Sequence, residues 1–267
     1  MGVRSWFAAI AVVSVSIVTF VFREDRPDAL EDAPSPELLV EPAPSPVLAF
    51  VYAPGACPDE MILVEGDYCP KPRQICKRWL DSPESGYGDF RCAEYVEPST
   101  CQAPRERKRF CIDREEFVRP GDALPLDHQS WTSAGRVCAA RDARLCLESE
   151  WQFACEGEEM RPYPYGFKRD ATLCNIDQMH LGKIGKLNDL RAPLDQYPQC
   201  LSPFGVHNMS GNIEEWATLD HGHAPDRSTM KGAWWLPGKN TCRAATLGHG
   251  ETYEGSQVGV RCCKDAL

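Results

Sequence analysis

The chain has 267 residues, including 14 cysteines, 22 prolines and 20 glycines, with 43% apolar residues, 25% charged residues and a formal net charge of −10. No basic stripe is present to neutralise phosphates, so nucleic acid is not expected as a partner. The composition also excludes collagen, a coiled coil and a multi-span membrane protein, while so many cysteines predict an oxidising compartment and a disulfide framework.

The N-terminal run from Trp6 to Phe22 is 17 residues without a charge. A signal-peptide core of about 7–15 residues is shorter, and a membrane span begins at about 17. No small-x-small cleavage site follows, because the run ends in Phe22-Arg23-Glu24-Asp25. Residues 1–22 are therefore expected to be a signal anchor, with a cleaved signal as the alternative. The membrane is then a partner through this end, and the rest is exported to the periplasmic or extracellular side of the envelope. Residues 23–56 form a linker: seven prolines fall between Pro27 and Pro54. Proline fixes φ and removes donors, so this stretch stays extended as a spacer.

Every cysteine lies from Cys57 onward, which marks residues 57–267 as the domain. Met61–Val64 is a short apolar run that predicts a strand. Ser130–Arg141 predicts a helix, with Trp131, Ala134, Val137 and Cys138 on one face and Ser130 as N-cap. Glu148–Cys155 predicts a second helix, its acidic Glu148 and Glu150 suiting the positive end of the dipole. Val258–Val260 predicts another strand. The fold class is α+β, loop-rich and held by cross-links. Trp151, Trp216, Trp234 and Trp235 are expected in the core, with a ligand groove as the alternative.

A series of segments then occurs in order: Met61-Ile-Leu-Val-Glu-Gly66, Phe110-Cys-Ile-Asp-Arg-Glu-Glu116, Arg144-Leu-Cys-Leu-Glu-Ser-Glu-Trp151, Tyr163-Pro-Tyr-Gly166, Phe204-Gly-Val-His-Asn-Met-Ser-Gly-Asn-Ile-Glu-Glu-Trp216, Lys231-Gly-Ala-Trp234 and Gly259-Val-Arg261. This series resembles the formylglycine-generating enzyme, or sulfatase-modifying factor, family over about residues 57–263. The resemblance implies a C-type-lectin-like fold. It also implies structural calcium at Gly211, Asn212, Ile213 and Glu215, and a second calcium at Asn175, Ile176 and Asp189. Backbone carbonyls mixed with carboxylate and amide oxygens are the donors that calcium takes. The alternative is a turn whose Asn and Glu cap backbone groups. Glu214 is expected to face solvent.

The family's oxidase needs two cysteines after Gly-Gly-Ser, which bind copper(I) as thiolates. Here Pro237 stands where the first should be. Counting forward, Cys242 falls at the second position; counting back from Gly259, it lies beyond the pair. Only Cys242 remains as a catalytic candidate, and its other reading is a disulfide to Cys262 or Cys263. Adjacent Cys262 and Cys263 are expected to reach different partners. An oxidase would need a second thiol from elsewhere, such as Cys200, and copper as cofactor. The same fold also occurs in nonheme iron enzymes, for which His221, His223 and His249 are the tempting residues. No nucleophile elbow singles out a hydrolase. The expectation is an exported, membrane-tethered and noncatalytic module with a binding or envelope structural role and a protein or peptide ligand. The alternatives are a formylglycine-generating oxidase and an iron oxygenase.

Overall fold

In the computed structural model, residues 55–85, 88–183 and 186–267 are described. The expected anchor, and the linker up to residue 54, lie outside them. Among the described residues no helix is long and apolar enough to cross a membrane.

Two four-stranded sheets organise the domain. In the first, Met61–Tyr68 pairs antiparallel with Glu106–Asp113, which pairs in turn with Cys262–Asp265 and then Arg144–Leu145. The Met61–Val64 run is thus only the inner half of a longer strand. Its continuation, Glu65–Tyr68, alternates exposed and buried residues and lacks the apolar run that marks the first half. In the second sheet, Glu214–Thr218 lies between antiparallel Ser228–Lys231 and parallel Val258–Gly259, with Ala245–Thr246 on the outer edge.

Two nine-residue helices supply much of the core. Helix α1 spans Trp131–Ala139. It begins where the sequence predicts because Ser130 Oγ accepts from Ser133 N at 3.1 Å, and Ser133 Oγ accepts from Ser130 N at 2.9 Å. Helix α2 spans Glu148–Glu156. Glu150 reaches back to accept from Leu147 N at 2.8 Å, and Gly157 ends the helix at φ 65°. Nearly all of α2 is buried, including Glu150, Gln152 and Glu156. Trp151 and Phe153 pack with Ile62, Phe110, Val206 and Met209, whereas Trp216, Met61, Ala134, Met230 and Val260 form a neighbouring cluster.

All 14 cysteines are paired in seven disulfides. Cys262 joins Cys138 and Cys263 joins Cys146, so the adjacent pair does reach different partners. The reason is the pleat: neighbouring residues of a strand face opposite sides, here the two core clusters. Cys242 corrects one expectation, because it joins Cys155 of α2 and not Cys262 or Cys263.

Candidate functional site

The Gly211–Trp216 segment enters the core as a turn and leaves as a strand. Gly211 sits at φ +81°, and a Cβ there would lie 2.2 Å from the Asn175 carbonyl oxygen. Only glycine permits that approach. Asn212 follows at φ +59° and donates its backbone N–H to the same carbonyl at 2.9 Å. Gly211-Asn212 and Asn175-Ile176, predicted as parts of two metal sites, are thereby stitched into one buried junction.

The side chains at this junction are held by protein groups. Asn212 Oδ1 accepts from Ala192 N at 2.7 Å and from Asn175 Nδ2 at 2.9 Å, while its Nδ2 donates to Glu116 Oε2 at 2.7 Å. Glu215 accepts from Trp151 Nε1 at 2.6 Å and from the wholly buried Arg261 at 2.7–2.9 Å. Arg261 also donates to the carbonyls of Asp113 and His207. Asp189 is not part of this cluster, since its half-exposed carboxylate is taken by Arg191 at 2.7 Å. Asn212 thus bonds backbone and side-chain groups of the turn, and Asp189 lies apart from Asn175 and Ile176, paired with Arg191.

One atom in this network has no partner. Glu116 is 2% exposed, and its Oε1 meets no donor. Burial and then the neighbouring Glu215 push the Glu116 carboxyl well above the ordinary carboxylate range. Two buried carboxylates thus face one guanidinium, and the uncompensated oxygen is the feature that fits a bound cation. Glu116 was legible as the end of a family-like segment but carried no assigned role.

The opposite face of the strand opens onto a different feature. A cavity of about 330 Å³ is lined by Glu214, Met230, Trp234, Pro237, Lys239 and Thr246, among others. Against the expectation that it faces solvent, Glu214 is 4% exposed, with Oε1 accepting from Thr246 Oγ1 at 2.6 Å, because strand alternation turns it into the cavity. Burial pushes its carboxyl up to about 7. Pro237, which counting forward along the sequence sets at the place of the family's first thiol, lies in this lining, and Cys242 does not. Cys242 is fully buried in its disulfide, and Cys200, the other thiol considered, is joined to Cys174. A copper thiolate pair cannot be assembled from these groups. Of the four tryptophans, Trp151, Trp216 and Trp235 are core residues, while Trp234 is half-buried and walls the cavity.

A larger cleft, about 830 Å³, contains His221 and His223 beside Glu148, Asp220 and Arg243. His249 is not in its lining, and stacks on Tyr253 with ring centroids 3.9 Å apart. Among the described residues no group of three metal-ligating side chains converges. The three imidazoles singled out in the sequence do not form an iron site.

Comparisons with known proteins agree with this geometry. The inactive C-alpha-formylglycine-generating enzyme 2 of Mus musculus is 29% identical over 160 residues, covering 56% of this chain and 52% of that protein. The formylglycine-generating enzyme of Mus musculus is 27% identical over 169 residues, covering 54% of this chain and 45% of that protein. The chain thus spans about half the length of these curated relatives. The crystal structure of CarF shares the fold, with a TM-score of 0.51 at 14% identity, over 78% of this chain and 98% of that one. The sulfatase-modifying factor enzyme 1-like domain model matches residues 77–266. The chain belongs to that family.

Proposed function

We propose that this chain is a noncatalytic member of the family that binds a peptide ligand at the cavity beneath Trp234. The observation that carries this reading is the state of the sulfur: every cysteine is in a disulfide, and no cysteine lines the cavity beside Trp234 and Pro237. The similarity to a relative described as inactive supports it. The disulfides point to an oxidising extracellular or lumenal compartment. Export with tethering through residues 6–22 remains the expectation for the N-terminal part, and it predicts that the mature protein keeps Met1 and fractionates with membranes.

A sulfatase-motif peptide incubated with the protein and copper(I), then weighed by mass spectrometry, tests the main claim. Its cysteine should survive unchanged. Conversion of that thiol to an aldehyde would show that an oxidase survives in another form.

Calcium belongs in this proposal as a structural ion. Glu116 would be the anionic ligand through its unpartnered Oε1, with Glu215 held by Trp151 and Arg261 outside the shell, and the ion would supply the charge that Arg261 alone does not. Asn212 would orient Glu116 and stay out of the shell, since its amide oxygen already accepts two N–H groups.

A further inference from the structure

We infer that the cavity under Trp234 takes the ammonium end of a lysine-type side chain, seated on Glu214. This rests on the proposed peptide-binding reading and names the chemistry of its ligand. The first observation is an incomplete carboxyl group. Glu214 is 4% exposed and lines the cavity. Its Oε1 accepts from Thr246 at 2.6 Å, while Oε2, which is not among the sealed and unpartnered buried atoms, is left for the cavity. A carboxyl group set in a largely apolar cavity is held there by few protein donors, and a ligand that brings a charged donor to it gains a hydrogen bond in a low-dielectric setting.

Among the described residues no cation fills this role. Lys231, which pairs across the sheet with Glu215, is buried against Glu148 at 3.0 Å. Arg261 is committed to Glu215 on the other face of the Glu214–Thr218 strand. Lys239 is exposed, with its ammonium 5.5 Å over the Phe90 ring, where solvent screens its charge.

The walls suit an aliphatic stem that ends in a charge. Met230, Pro237 and Trp234 offer apolar surface, and an indole face attracts a cation. At about 330 Å³ the space is at the small end of ligand pockets, right for one side chain of an extended peptide. Thr246 occupies one carboxyl oxygen, so a single donor is wanted. A compact ammonium meets that better than the planar guanidinium fork, which needs both oxygens. The net charge of −10 draws a basic peptide toward the domain.

Acetylated, amidated tripeptides Ala-Lys-Ala, Ala-norleucine-Ala, Ala-Arg-Ala and Ala-Glu-Ala, titrated calorimetrically into the full chain, test the assignment. The lysine peptide should bind at least about tenfold tighter than the norleucine peptide. Glu214→Gln should bring lysine down to the norleucine level, and Trp234→Ala should weaken both. Thr246→Val, which frees the second oxygen, should narrow the gap between arginine and lysine. Each variant's melting curve checks that it is folded. Equal binding of lysine and norleucine, or a preference that survives Glu214→Gln in the folded protein, overturns the ammonium seat while leaving peptide binding intact. Preference for the glutamate peptide also overturns it, in favour of Lys239. If no peptide binds, peptide capture at this cavity fails as well.

Discussion

Arg261 carries one positive charge into a space shared with two buried carboxylates, so the state of Glu116 is decided by whatever else can neutralise it. A calcium ion that binds only the folded state stabilises by about 2.7 kcal/mol at a hundredfold excess over its dissociation constant. At pH 8, chelation should therefore lower the melting temperature, and Glu116→Gln should abolish the difference between chelated and calcium-loaded protein. Identical melts for both samples would assign the charge balance to a proton on Glu116 and remove calcium from the picture. The junction beside it makes a second prediction. Gly211→Ala drives a Cβ to 2.2 Å from a backbone oxygen, with Ile176 at 2.4 Å, and neither can move cheaply. The cost should be about 3 kcal/mol or more, by combining backbone strain and overpacking. Gly121→Ala, at φ +91° with nothing within 4 Å, should cost only about 1 kcal/mol. Urea midpoints of the two variants give the comparison, and equal losses would show that the Asn175 junction yields easily.

The strand Cys262–Asp265 turns a sequence detail into a structural one. Adjacent cysteines on a pleated strand must point to opposite faces, so each ties a different element to the sheet: Cys138 of α1 on one side and Cys146 ahead of α2 on the other. The two loops these bonds close, of 124 and 117 residues, are long. The Cys76–Cys92 bond closes only 16 residues in a surface hairpin between Cys76–Trp79 and Cys92–Tyr95. The two long bonds close nearly the same loop, so with Cys146–Cys263 intact the loss of Cys138–Cys262 frees only the short path between them, and chain entropy gives it no advantage over Cys76–Cys92. The double variant Cys138→Ala/Cys262→Ala should still lose more stability than Cys76→Ala/Cys92→Ala, because Cys138 and Cys262 are wholly buried and leave a cavity. Denaturant titration under non-reducing conditions measures it, and equal losses would count against the cavity argument.

The whole domain is held by cross-links running from its first described segment to its last strand: Cys57 is joined to Cys111, and Cys262 and Cys263 to Cys138 and Cys146. Thiol labelling in denaturant without reductant should find no free thiol. Full reduction should unfold the domain cooperatively, since removing native disulfides from a small secreted domain typically costs about 2–5 kcal/mol. A reduced, fully labelled protein with an unchanged melting temperature would show that the core alone suffices.

The helix starts at Ser130 and Glu148 were readable in the sequence because capping is local: a side chain bonds a backbone group three residues away. The family motifs were readable because glycines, prolines and tryptophans at fixed spacing record backbone turns and large core residues. Disulfide pairing was not, because α2 and the Cys242 loop meet only after distant strands have joined. Nor was the difference between Glu214 and Glu215. Both are acids on one short strand, and alternation sends one to Arg261 and the other to a cavity built by Thr246, Trp234 and Met230. A sequence shows that such a residue alternates, and only the packed neighbours show what each face meets.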